Sequence, residues 1–163
     1  MNVSTVCSRD VVSCSGQDSL RRLAELMRAH HVGAVVVTTA GRIDHAAGPA
    51  GHAEGRADRR PIGIVTDRDL VVEVLATGLD PEALTAADLI SGPVVVINEQ
   101  DSLLDAIHRM RSRGIRRLPV TDVHGNLAGI ISFDDLLHAL THELTTLVRV
   151  AEHQPSQEAR SRP

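Results

Sequence analysis

The chain reads as an α+β protein: two copies of a β-α-β-β-α unit packed as an intramolecular pseudo-twofold pair. Three observations carry this. First, Gly63-Ile64-Val65-Thr66-Asp67-Arg68-Asp69-Leu70 returns as Gly129-Ile130-Ile131-Ser132-Phe133-Asp134-Asp135-Leu136. Second, Val11 to Cys14, Asp18-Ser19-Leu20 and Met27 return 83 positions later as Val94 to Ile97, Asp101-Ser102-Leu103 and Met110. Third, the offset falls to 66 after the second strand of each copy, which places a 17-residue insertion in the first. Two such copies fit a pair with facing sheets rather than a solenoid, which needs more repeats.

Val11-Val12-Ser13-Cys14 predicts a short strand leading to Asp18, placed as the N-cap of a helix in which Leu20, Leu23, Ala24 and Met27 recur at helical spacing. Gly33 follows that helix. Val35-Val36-Val37 is a β-branched run, hence a buried strand. Residues 41–60 break the pattern with Gly41, Gly48, Pro49, Gly51 and Gly55, and are expected to form a flexible loop holding the insertion. Ile62 to Val65 resumes the strand, and Leu70, Val71, Val74 and Leu75 form the next helix, stopped near Gly78. Asp80-Pro81-Glu82 is a further helix start, with Asp as N-cap and Pro in the first helical position.

The order then repeats. The closing helix carries Leu136, Leu137, Leu140, Leu144, Leu147 and Val148, a stripe long enough to pack on a partner helix or subunit. Repeat 1 is thus 3–79, repeat 2 is 80–150, and the polar tail 151–163 is expected to be disordered.

Composition narrows the class. A chain of 163 residues can bury a core without staples, and at 42% hydrophobic with Phe133 as its one aromatic residue that core is aliphatic. A net charge of −4 and the lack of aromatic platforms argue against nucleic acid as a partner. No apolar run reaches the length of a membrane span, and Met1-Asn2-Val3-Ser4-Thr5 lacks the character of a signal peptide. Two cysteines do not make a secreted disulfide framework, so the expected compartment is the cytoplasm.

The recurring octapeptide has two readings. Thr66-x-x-Asp69 and Ser132-x-x-Asp135 are helix caps, a hydroxyl at N-cap and an acid near N3. They also place backbone N–H groups, a hydroxyl and a carboxylate at one helix end. Phosphate suits the first two, and a carboxylate accepts both O–H donors of a ribose diol. Recurrence within a longer repeat favours this nucleotide clasp.

On these motifs the chain resembles a tandem pair of CBS (cystathionine β-synthase) domains, similar to the small stand-alone bacterial CBS-pair proteins, including the hypoxic-response type. The resemblance runs from about Val3 to Val148. It implies two clefts between the copies for adenosyl ligands such as AMP, ADP, ATP or S-adenosylmethionine, and homodimerisation of the pairs into a flat disc. It also implies that each cleft takes its clasp from one copy and its base pocket from the other. Site A then joins Ile64, Thr66 and Asp69 to Val94, Val95, Ile115 and Arg116. Site B joins Ile130, Ser132 and Asp135 to Val11, Val12, Val32 and Gly33. Aliphatic walls would hold adenine, backbone groups read its edge, Asp take the ribose and Thr or Ser the phosphate.

The copies differ in charge. Arg116-Arg117-Leu118-Pro119 stands where the first copy has Gly33-Ala34-Val35-Val36, and with Arg68 it makes site A cationic, whereas Asp134 lies beside clasp B. Arg68 and Arg116 read equally as solvated surface charges. The insertion has no counterpart in the family pattern. His138 and His142 share a helical face without an obvious third metal ligand, Cys7 and Cys14 read as inert thiols rather than a pair or a metal site with His30 or His31, and His45 and His52 as solvated. No P-loop, GxGxxG, HExxH or nucleophile elbow is present, so no catalysis is expected. The expectation is a regulatory adenosine-nucleotide sensor acting through its dimer or a protein target in trans. The alternative is a ligand-independent, stress-related scaffold responsive to metal or thiol oxidation.

Overall fold

The computed structural model describes residues 1–39 and 59–158, with side chains as far as Arg149. β1 (Ser13–Ser15), α1 (Leu20–His30), β2 (Ala34–Thr38) and β3 (Pro61–Thr66) lead into α2 (Asp67–Asp69), which continues with π-type hydrogen bonding over Leu70–Leu75. The second unit is β4 (Ile97–Asn98), α3 (Leu103–Arg113), β5 (Arg117–Thr121), β6 (Leu127–Ser132) and α4 (Phe133–Glu158). Each unit forms a three-stranded sheet, β1-β2-β3 or β4-β5-β6, with a parallel first pair and an antiparallel second. Val36 faces Ile64 as Pro119 faces Ile130, and both antiparallel pairs shift register at matching places, Val37/Thr38 and Val120/Thr121. The α+β pair of β-α-β-β-α units is therefore the observed fold.

Each sheet buries one face under its own helix. Leu20, Leu23, Leu26 and Met27 of α1 close over Val35, Val37 and Val65, while Leu103, Ala106 and Met110 of α3 close over Leu118, Val120 and Ile131. A third cluster joins the units, with Val11, Val36 and Leu127 buried against Ile64 and Ile130. The chain also crosses over before each sheet. Val3 is fully buried in the second unit's core, as Ala86 is in the first's, and Val3 N–H donates to the Asp101 carbonyl as Ala86 N–H donates to that of Asp18, each at 2.9 Å. These contacts obey the 83-residue offset and tie each unit to the segment preceding the other.

Several local expectations are corrected. The α1 N-cap is Ser19, whose hydroxyl accepts from Arg22 N–H, while the Asp18 carboxylate accepts from Ser15 N–H at 2.7 Å. Gly33 does follow α1, after His31 (φ 53°) ends the helix in the left-handed conformation, as Gly114 (φ 64°) ends α3. Asp80-Pro81-Glu82 opens only a turn, because Asp80 accepts from Glu82 N–H. The helical piece is a 3-10 turn, Ala86–Leu89, with Thr85 and Asp88 in a capping box. Val94, Val95 and Val96 remain irregular, since β4 is confined to Ile97–Asn98. The loop expected over 41–60 ends two residues too late. Arg59 already pairs with the second unit, donating to Asn126 and accepting from Leu127, while 41–58, with His45 and His52, lies outside the described residues. The expected disordered tail begins too early, because Ala151 and Glu152 favour helix and α4 runs on to Glu158. The rest of the tail, 159–163, lies outside the described residues.

Cys14 is fully buried, and burial pushes its thiol up to about 12. The neutral form is thus favoured in the native chain, while the unfolded thiol ionises near 9. Native stability should fall as pH rises above that value and continue to fall toward the folded pKa, because the unfolded state then releases the proton more readily. Urea midpoints measured at pH 8, 9.5 and 11 should decline more steeply in the wild type than in Cys14→Ala. Equal slopes contradict the assignment.

Candidate functional site

A cleft of about 770 Å³ opens where the β3–α2 turn of the first unit meets the α3–β5 turn and the entry segment of the second. All eight residues assigned to site A line it: Ile64, Thr66, Arg68, Asp69, Val94, Val95, Ile115 and Arg116. Arg117, read with Arg116 as part of the cationic stretch, lines it too, and so do Asp67, Ile90, Gly92 and Pro93, which the sequence reading missed. Asp67 was hidden beside a stronger motif. Ile90 to Pro93 belong to a connection with no periodicity to mark it.

The turn is held by its own cap. Thr66 N–H and the Thr66 hydroxyl both donate to Asp69 Oδ2 at 2.8 Å, and Asp69 N–H donates back to Thr66 Oγ1 at 3.2 Å. The cap reading is therefore correct, and it leaves room for the clasp, because Oδ1 of Asp69 has no hydrogen-bond partner among the described residues. The Thr66 hydroxyl, expected to serve phosphate, gives its proton to Asp69.

Main-chain groups of β3 complete the wall. Val36 gives its N–H to the Val12 carbonyl at 3.0 Å, so Ile64, opposite it in register, turns its own N–H and C=O off the free edge of β3. Within β3, a Cβ at Gly63 would stand 2.6 Å from the Ile90 side chain, so glycine there lets Ile90 pack against the strand.

The charge pattern is more mixed than the sequence reading held. Arg68 has no ion pair among the described residues, but Asp67 adds a carboxylate and accepts from Arg68 N–H at 2.8 Å. The Arg116 guanidinium lies 3.5 Å from Asp134 Oδ1 and 5.4 Å from the Phe133 ring centroid. It leans across to the second clasp, and with 72% of its side chain exposed the pairing is weak and easily exchanged.

The residues of site B are spread over different surroundings. Ser132 and Asp135 repeat the reciprocal cap, with donor distances of 2.8 and 2.6 Å to Asp135 Oδ2 and 3.1 Å back to Ser132 Oγ. Val11 and Ile130 pack in the cluster between the units, whereas Val12 and Val32 belong to the core of the first. The Gly33 carbonyl accepts from Asp67 N–H at 3.2 Å. Most importantly, Ile130 N–H and C=O, the counterparts of the open Ile64 groups, exchange hydrogen bonds with Ser8 at 2.9 Å each.

His138 and His142 line a small cavity with Asp135, yet no group of three or more His, Cys, Asp or Glu is arranged to hold a metal among the described residues. Both cysteines are free, and burial pushes the Cys7 thiol up as well. No described helix is long and apolar enough to cross a membrane.

Three relatives set this geometry in context. An uncharacterized protein of Methanopyrus kandleri is 32% identical over 147 residues, which are 90% of this chain but 66% of that protein. The crystal structure of hypoxic response protein I with two coordinated zinc ions superposes with a TM-score of 0.66 at 27% identity, over 85% of this chain and 98% of that one. A CBS domain protein of Pyrobaculum aerophilum complexed with AMP superposes with a TM-score of 0.69 at 25% identity, over 90% and 99%. The CBS domain family model matches residues 3–44 and 86–142. With both halves matched and the paired fold observed, this chain belongs to the CBS domain family as a tandem pair.

Proposed function

We propose that cleft A binds an adenosine nucleotide and that the chain is a regulatory module reporting occupancy through its dimer or a protein target in trans. The observation that carries this reading is the convergence of all eight site A residues on one cleft. Ile64, Val94, Val95 and Ile115 supply aliphatic walls for adenine, the outward N–H and C=O of Ile64 read its edge, and Asp69 Oδ1 accepts from the ribose. Phosphate falls to Arg68 and Arg116, with Thr66 holding Asp69 in place. The AMP carried by the Pyrobaculum aerophilum relative supports the ligand class. Thermal-shift and calorimetric titration with AMP, ADP, ATP, S-adenosylmethionine, NAD and adenosine is the test. A phosphorylated adenosine should bind about tenfold or more tightly than adenosine, the worth of one charge-assisted contact. Failure of every compound to bind contradicts the reading.

The surface proposed for reporting is apolar and follows two helical segments. Val71, Val72, Leu75 and Leu79 follow α2, Leu137, Leu140, Leu144, Leu147 and Val148 line α4, and all are at least 41% exposed. The helices beginning at Leu20 and Leu103, also expected to contribute, bury their stripes, except for Leu104. A stripe this continuous on a chain of this size supports a subunit contact there. Light scattering at micromolar concentration should give twice the chain mass, and Leu144→Glu with Leu147→Glu should return it to one. A monomeric wild type contradicts the dimer.

The rival scaffold reading draws on the zinc ions of the hypoxic response protein. It predicts stoichiometric metal in the purified chain, which elemental analysis decides.

A further inference from the structure

The two clefts are not equally open. Three isolated bridges hold the crossing segments: Asn2 to Ser102 and Ser19 to Thr85, at the N-caps of α3 and α1, and Ser8 to Ile130 of β6. The first two are symmetry mates under the 83-residue offset. The mate of the third, Ser91 to Ile64, is absent among the described residues. Ser8 therefore occupies the main-chain edge at the second clasp that stands open at the first.

The cause is readable in the residues that follow. After Ser8 come Arg9 and Asp10, and after Ser91 come Gly92 and Pro93. The Arg9 guanidinium reaches Glu99 Oε2 at 2.8 Å and the Ala128 carbonyl at 3.1 Å, clamping the segment along β6. Gly92 has no side chain with which to do this, and Pro93 has no N–H. The fit at β6 is close: a Cβ on Gly129 would stand 2.8 Å from the Ser8 carbonyl oxygen.

We infer that the Ser8–Arg9 segment is an intramolecular strap filling the base-reading edge of cleft B, so that each chain binds one nucleotide, at cleft A, until the strap is released. The inference rests on the nucleotide reading of cleft A. Release of the strap, by a partner or by variation at Arg9, would convert a one-site sensor into a two-site sensor.

The test transplants the open sequence into the closed position, as Arg9→Gly with Asp10→Pro in the full chain. AMP and ATP titrations should give one site per chain in the wild type, weakened about tenfold or more in Asp69→Ala and retained in Asp135→Ala. The double variant should give two, the added site lost in Asp135→Ala. Two sites in the wild type, or one in the double variant, overturn the inference. If no nucleotide binds either protein, the functional reading fails, and hydrogen exchange at the Ile130 amide decides the strap separately. Exchange at least about tenfold faster in the double variant supports it, and equal rates overturn it. Arg9→Ala, which alters one half-exposed side chain, carries the same measurements should the double variant not fold.

Discussion

Asp69→Ala is expected to weaken nucleotide binding at cleft A about tenfold or more. Two effects follow from removing this carboxylate, and they separate cleanly. One is lost stability, because Asp69 is the acid of a capping box; a missing cap lowers stability by about 1 kcal/mol. The other is lost affinity, because Oδ1 is the acceptor available to a ribose diol, and a hydrogen bond to a charged group contributes about 1.5–3 kcal/mol. Asp135→Ala is the control. It breaks the matching cap of Ser132 at the second clasp, with the same contacts at 2.6 to 3.1 Å. Both variants should lower the melting temperature alike, and only Asp69→Ala should lower affinity. Calorimetry with AMP together with thermal melting checks both. Equal affinity losses in the two variants contradict the assignment of the working site to cleft A.

The largest stability change is expected at a position the two repeats share in place but not in size. Leu23 and Ala106 are related by the 83-residue offset, both are fully buried, and each lies under its own sheet. Leu23→Ala should destabilise by about 3 kcal/mol, since truncating a buried leucine leaves a cavity that the aliphatic walls of β2 and β3 fill only partly. Ala106→Leu should also destabilise, by about 1–3 kcal/mol, because the smaller residue is matched to a tighter core. The pseudo-symmetry offers no rescue: the residues belong to separate clusters, so the double variant should show the sum. Urea unfolding measures all three, and a double variant more stable than Leu23→Ala alone contradicts the separation of the cores.

Much of this molecule was legible before its coordinates because its information is repeated. Gly63 to Leu70 and Gly129 to Leu136 announced the two strand–cap–helix turns, and the change in offset located the insertion. The eight residues assigned to site A line one cleft. What escaped was set by contacts that no motif marks. Ser19 rather than Asp18 caps α1, because Asp18 folds back onto the Ser15 amide. Asp67 shares the cleft and dilutes its positive charge, and Arg116 turns to Asp134. Those two facts weaken the argument that charge alone separates the clefts. The stronger distinction, the Ser8 bridge to Ile130, pairs residues more than a hundred positions apart, and its trace in the sequence, Arg9-Asp10 against Gly92-Pro93, belongs to no motif that would announce it.

The central claim is that the open edge of β3 at Ile64 reads a bound adenine, and the Ile64 amide is its most direct reporter. With ¹⁵N-labelled protein, AMP titration should shift that resonance saturably, at the dissociation constant found by calorimetry, while the Ile130 amide, already bonded to Ser8, stays in place. An Ile64 amide that does not move while AMP binds contradicts the account.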